Sequence, residues 1–223
     1  MQTCVVVPAY NEEQSIGEVV KNLRAENYAV VVVDDGSGDR TYEVAKQAGA
    51  TTLRHALNRG QGAALQTGIS YALDQGAEVI VTFDADGQLD PREIAAVIAP
   101  LRAGQADVVL GSRFLKSSDS VPVFRKIILK LATVATRYYT RLRVTDTHNG
   151  FRALTAAAAQ KLQIRHDGMA HASEILEQIA QHKLRYLEVP VSVAYTDYSL
   201  QKGQRLTGSV KIVWDLFIGR LTK

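Results

Sequence analysis

The sequence predicts an α/β protein built on a mostly parallel sheet with helices flanking it. Three observations carry this. Short runs rich in Val and Ile alternate with helix-length segments from the start of the chain to about position 110. The run 29–33, Ala-Val-Val-Val-Val, offers no polar side chain to water, as expected of a strand covered on both faces. Polar and glycine-rich clusters follow the strand-like runs one after another, at the strand ends where open α/β sheets gather ligands.

The elements follow in order. Residues 4–7 form a short β-rich run, and Ile16, Val19, Val20 and Leu23 space a helix over 12–25. Strand 29–33, helix 41–48 and strand 51–54 come next. Helix 61–73 then leads to strand 78–83. Pro91 suits the first turn of a helix reaching about residue 101, where its missing N–H would have no helical partner anyway. Residues 107–110 return to strand. The second half is less regular: helix 123–139, strand 151–154, a short helix 156–162, a stronger helix 172–181, strand 186–193, a polar loop 196–203, and an amphipathic helix from about 207 to 221. No repeat, low-complexity tract or linker interrupts the chain, so one domain is expected over 1–223.

With 223 residues, 46% hydrophobic and 22% charged, the chain has the make-up of a soluble globule with ample core. Its single cysteine, Cys4, permits no disulfide framework, and a cytoplasmic compartment is expected. The start runs into a strand without a basic leader region. No uncharged apolar stretch is long enough for a bilayer, so neither signal peptide nor membrane span is expected. The net charge of +3 hides a local excess: Arg125, Lys126, Lys130, Arg137, Arg141 and Arg143 fall within 120–145, with no acidic residue among them. Helical spacing there groups Ile127, Leu131, Val134 and Tyr138 on one face and Lys130, Arg137 and Arg141 on another. That is the pattern of a segment lying peripherally on an anionic membrane, such as the inner face of the cytoplasmic membrane. No RNA- or DNA-binding motif accompanies it, so nucleic acid is not expected as a partner.

The chemistry concentrates in Asp84-Ala85-Asp86-Gly87-Gln88, directly after strand 78–83. Two carboxylates at i and i+2 on a strand end can reach one hard divalent cation, and Mg²⁺ or Mn²⁺ suits them when a substrate's phosphates supply further oxygens. Alone the pentapeptide also reads as a polar turn. Its neighbours favour the metal. Pro8-Ala9-Tyr10-Asn11-Glu12, Asp34-Asp35-Gly36-Ser37-Gly38-Asp39, Asn58-Arg59-Gly60-Gln61-Gly62 and Gly111-Ser112-Arg113 end the other strands. Each reads singly as a cap or turn; together on one rim they are most economically a nucleotide site.

These segments, with Asn149-Gly150-Phe151-Arg152, resemble the family 2 glycosyltransferases. The match is to the branch of dolichyl-phosphate mannose synthases and bacterial polyprenyl-phosphate glycosyltransferases, and runs from Val5 to about Tyr195. The resemblance implies a GT-A-type, Rossmann-like fold and metal-dependent inverting transfer of a hexose from a UDP- or GDP-sugar to a polyprenyl phosphate. It implies a nucleotide-sugar-binding half over about 1–113 and an acceptor-binding half over about 114–223. Carried over by residue, Pro8, Tyr10 and Glu12 would line the nucleoside pocket, and Asp35 would take a donor on the base. Asp84 and Ala85 would lie against the nucleotide-sugar, and Asp86 and Gln88 would hold the metal. Arg113 and Arg125 would grip the acceptor's phosphate, for which a guanidinium fork is suited.

Two departures from the family pattern bear on the acceptor. Many members that glycosylate a sugar hydroxyl carry a Glu-Asp or similar acidic pair in the second half, one carboxylate serving as base. Here that region reads His171-Ala172-Ser173-Glu174, a lone acid in the first turn of a helix. A phosphate acceptor is already an anion and needs no base. Many polyprenyl-phosphate enzymes carry C-terminal membrane helices, and none is expected in this sequence. The polar loop 196–206, with Lys202 and Arg205 about Gly203, is expected to close over the donor's diphosphate. A sugar-1-phosphate nucleotidyltransferase would instead open with a basic glycine-rich loop after the first strand, which Pro8-Ala9-Tyr10-Asn11 does not provide.

Overall fold

The computed structural model describes residues 1–115, 140, 142–147, 149–168 and 170–194. Among these residues seven strands form one sheet: β1 (Thr3–Ala9), β2 (Ala29–Asp34), β3 (Thr51–Arg54), β4 (Val79–Thr82), β5 (Val108–Ser112), β6 (Arg152–Thr155) and β7 (Tyr186–Pro190), in the order β3-β2-β1-β4-β6-β5-β7. The helices are α1 (Ile16–Ala25), α2 (Thr41–Gln47), α3 (Gln61–Asp74), α4 (Ile94–Arg102, after a 3₁₀ turn Pro91–Glu93), α5 (Ala156–Lys161) and α6 (His171–Gln181). The strands run parallel except β6, which is antiparallel to both β4 and β5. The expected helix 123–139, loop 196–203 and final helix 207–221 lie outside the described residues.

Alternation along the strands builds two cores. Val5, Val7, Val30, Val32, Val79 and Val81 face α1 and α4, where Ile16, Val20, Leu23, Ile94 and Ile98 are buried. Cys4, Val6, Val31, Val33 and Ile80 face the other way, onto Leu65 and Ile69 of α3 and Ile175 and Leu176 of α6. This double cover is why the central strands carry almost no polar residue. Desolvation pushes the Cys4 thiol up to about 11, so it packs as an inert apolar group.

Several boundaries shift for local reasons. β1 outruns its expected end because pairing with β2 continues to Ala9 opposite Asp34. α1 starts at Ile16 rather than 12: Asn11 is in the left-handed region (φ 53°), and the Glu12 carbonyl accepts the Ser15 and Ile16 N–H groups in a preceding turn. β7 stops at Pro190, and the Val191 N–H makes the last bond to β5, donating to the Ser112 carbonyl at 3.1 Å. Beyond it the chain is held by Glu93, which accepts the Ser192 N–H at 2.8 Å and its hydroxyl at 2.9 Å, and by an antiparallel bridge between Val193 and Leu89.

The reversal of β6 matters most for the site. Arg152 pairs with Thr82 and with Leu110, so the beginning of β6 lies at the carboxyl ends of β4 and β5. Residues 149–152 thus join the rim that carries the other polar clusters. Phe83 and Phe151 pack edge to face just below it, ring centres 5.3 Å apart, fixing the β4 exit against the β6 entry.

Candidate active site

Asp84 and Asp86 leave β4 at the centre of this rim. Gly150 lies directly on the Asp84 carboxylate; a Cβ at position 150 would fall inside contact distance of all three carboxylate heavy atoms. The Thr82 hydroxyl donates to the Gly150 carbonyl at 2.5 Å and holds the two segments together. Gln61, the first residue of α3, directs its amide at Asp84 Oδ1 from 3.4 Å. Asp86 Oδ1 accepts the Gln88 N–H at 3.0 Å, closing a tight turn across Gly87, and the Gln88 carbonyl accepts the Ala194 N–H at 2.8 Å. On its other side Asp86 borders a cleft of about 320 Å³ under α1, with Glu18, Asn22 and Phe83.

Desolvation first, and then the Asp86 charge, raise the Asp84 carboxyl to about 6, against the opposing pull of Arg152 and Arg113. The folded protein therefore holds this proton more tightly than the unfolded chain. Its stabilising contribution is complete below the ordinary value of 3.8 and is lost as the pH rises through about 6. Asp84→Asn is expected to stabilise the metal-free protein at pH 7.5 by up to about 3 kcal/mol. Urea unfolding in EDTA should show the gap closing toward pH 4.

The Asp86 charge raises the proton affinity of Asp84, and a divalent cation held by the pair would relieve that repulsion. Among the described residues no group of three His, Cys, Asp or Glu side chains surrounds such an ion. The donor set is thus a carboxylate pair, suited to an oxygen-seeking ion whose shell a substrate completes.

Behind the pair stands a buried ionic network that sequence reasoning missed. Arg152 is 5% exposed; burial lowers its guanidinium to about 10, while Asp84 and Asp146 oppose the fall, so it remains charged at neutral pH. Arg113 was assigned to the acceptor's phosphate, but its Nε–H donates to Asp146 Oδ2 at 2.6 Å and Nη2 approaches Oδ1 at 3.4 Å. The planar fork is given to an internal carboxylate. Asp146 is in turn set by Glu188 of β7, whose Oε1 accepts the N–H groups of Thr145 at 2.7 Å and Asp146 at 3.2 Å. Arg152 was within reach of sequence reasoning, inside the quoted Asn149–Arg152 motif. Asp146 had no such signal, because its partner is 33 residues away.

The nucleoside-side candidates divide. Tyr10 is 46% exposed on the rim. Pro8 is buried within β1, opposite Val33, and Ala85 is buried in the α1 and α4 core, so its side chain is turned from the rim. The Glu12 carboxylate accepts the Ser15 hydroxyl at 2.9 Å. Asp35, 2% exposed, accepts the N–H groups of Arg59 (3.0 Å) and Gly60 (2.6 Å), and the His55 ring lies at 2.7 Å. Three of the roughly four acceptor directions of a carboxylate are filled. Asp35 thus anchors the 58–60 turn, a use that the sequence reading did not anticipate, and His55 carries the link on to Thr67 at 3.0 Å. Glu174 accepts backbone N–H groups of Arg165 and His166. Arg125, Lys202 and Arg205 lie outside the described residues. Among the described residues no helix is long and apolar enough to cross a membrane.

Residues 4–163 match the family described as Glycosyl transferase family 2. The UDP-N-acetylglucosamine–dolichyl-phosphate N-acetylglucosaminyltransferase of Methanococcus voltae is 34% identical over 98% of this chain and 96% of its own length. The dolichol-phosphate mannosyltransferase of Pyrococcus furiosus is 31% identical over 85% of this chain and 56% of its own. In fold, the chain is similar to glucosyl-3-phosphoglycerate synthase from Mycobacterium tuberculosis, solved with Mn²⁺, UDP and glucosyl-3-phosphoglycerate. The TM-score is 0.70 at 18% identity, over 94% of this chain and 78% of that one. The architecture is thus of the GT-A type, and this chain belongs to glycosyl transferase family 2.

Proposed function

We propose that this family 2 glycosyltransferase moves a hexose from a UDP- or GDP-sugar onto a polyprenyl phosphate, inverting the anomeric carbon, with Mg²⁺ or Mn²⁺ bound. The observation that carries the reading is the Asp84–Asp86 pair at the end of β4, backed by two buried arginines. Asp86 and Gln88 would hold the ion, which neutralises negative charge on the departing diphosphate. Tyr10, Glu12, Asp35 and Asp84 would border the nucleotide-sugar, with Pro8 and Ala85 shaping the strand ends beneath it. An acceptor phosphate oxygen attacks C1 as the C1–O bond to the diphosphate breaks, and the nucleoside diphosphate leaves. No proton is removed. That suits a chain whose Glu174 is engaged with backbone amides. Arg113 and Arg152 supply fixed positive charge behind the reacting groups, and Arg125 would add a fork for the incoming phosphate. Lys202 and Arg205 would close over the diphosphate, and the basic segment 121–143 would rest on an anionic membrane where the acceptor is dissolved. The names of the M. voltae and P. furiosus relatives, both dolichyl-phosphate enzymes, support this acceptor class.

The test is a panel of UDP- and GDP-sugars with Mn²⁺, with and without polyprenyl phosphate, following sugar into the lipid fraction. Lipid-linked product is expected only with polyprenyl phosphate, and none in EDTA with metal-free donor. Full activity in EDTA would remove the metal from the reading. Transfer confined to saccharide or protein hydroxyls would replace the acceptor.

A further inference from the structure

We infer that Glu174 is a positioning residue for the nucleotide-sugar. It fixes a loop of the second half of the chain against the turn that opens α3, and this rests on reading that turn as part of the donor site. Both Glu174 oxygens accept the Arg165 N–H at 3.0 Å, and Oε2 also accepts the His166 N–H at 2.9 Å. Held in this way, the loop presents the Asp167 carbonyl to the N–H groups of Gly62 at 2.7 Å and Ala63 at 3.4 Å, at the start of α3. The approach is backbone on backbone. A Cβ at Gly60 or Gly62 would overlap the carbonyls of Asp167 and His166, and Gly60 is in addition left-handed, with φ 105°.

The same turn is gripped from the opposite side by Asp35, through the N–H groups of Arg59 and Gly60. It therefore sits between a carboxylate at the end of β2 and a carbonyl whose place Glu174 sets. What the turn carries is Gln61, whose amide reaches toward Asp84. Displacement of the loop is thus transmitted in two steps to the carboxylate pair. A general base would need an oxygen directed at an acceptor hydroxyl. Glu174 directs its oxygens at two amides of its own chain.

Glu174→Ala and Glu174→Gln separate the possibilities when donor KM, acceptor KM, the pH dependence of kcat/KM and amide exchange at Gly62 and Ala63 are measured on the whole chain. The alanine variant is expected to raise the donor KM about tenfold, the scale of losing hydrogen bonds to a charged acceptor. Exchange at both amides should quicken, with acceptor KM and pH profile unchanged. Glutamine keeps one oxygen able to take both N–H groups, so it should hold the donor KM within about threefold of the parent. The inference is overturned if alanine leaves donor KM and exchange unaltered. It is equally overturned if glutamine and alanine both abolish kcat with loss of the acid limb of the pH profile, the behaviour of a base. If the parent protein binds no UDP- or GDP-sugar at all, the donor reading of the rim fails and takes the inference with it.

Discussion

Asp86→Ala is expected to lower kcat by about 10²- to 10³-fold or more, the cost of removing a group that stabilises charge on a leaving oxygen. Asp86 is placed for this by its own turn: Oδ1 is committed to the Gln88 N–H, and its charge is close enough to Asp84 to hold that carboxyl's proton affinity up. The variant should also lose Mn²⁺ binding measured by calorimetry in the presence of UDP or GDP, while the unfolding midpoint stays near the parent's. The Asp86 side chain is half-buried at the rim, and the apolar residues that flank it, Phe83, Ala85 and Leu89, are left in place. Unchanged turnover with Asp86→Ala would exclude this carboxylate from the chemistry.

The second large effect is expected from a methyl group. Gly150→Ala places a Cβ within contact distance of the Asp84 carboxylate, and the Gly150 carbonyl is held by the Thr82 hydroxyl. Phe151, fully buried next door, cannot follow an outward shift without opening its edge-to-face contact with Phe83. The acid must therefore move instead. A displacement near 1 Å at a reacting centre costs on the order of 100-fold in rate. Steady-state kinetics should show that loss in kcat/KM for the donor, with circular dichroism unchanged. If activity persists, the close packing of Gly150 on Asp84 has no catalytic meaning.

These two positions show what can be read from residues in order and what cannot. Asp84-Ala85-Asp86 was visible because an apolar run delivers it. The strands β1, β2 and β4 were visible because a sheet covered on both faces demands unbroken apolar runs. The start of α1 was misjudged because apolar spacing does not register the left-handed Asn11. The end of β7 was placed too far because apolar alternation continues past Pro190 into Val191 and Val193, although after the Val191 N–H bonds Ser112 the chain leaves β5 and Val193 bridges to Leu89. Arg113 was correctly brought to the rim, yet its fork belongs to Asp146, an acid that nothing in its own neighbourhood marks out. Asp35 and Glu174 read as a base contact and a helix-start acid; in the fold both accept N–H groups from loops distant in sequence or from across a turn.

From the sequence alone came the α/β class, the mostly parallel sheet, the family resemblance and the carboxylate pair. The class, the sheet and the pair depend on local composition and on periodicity within single elements, and the resemblance depends on motifs in order along the chain. Tertiary structure alone decided that β6 runs backwards between β4 and β5. A strand's apolar alternation is the same read in either direction, so only packing against its neighbours selects the orientation. That reversal puts Gly150 on Asp84 and buries Arg152 between Asp84 and Asp146. Of the charges that act on Asp84, only Asp86 is a neighbour in sequence; Arg113, Arg152 and Glu12 are brought to it by the fold.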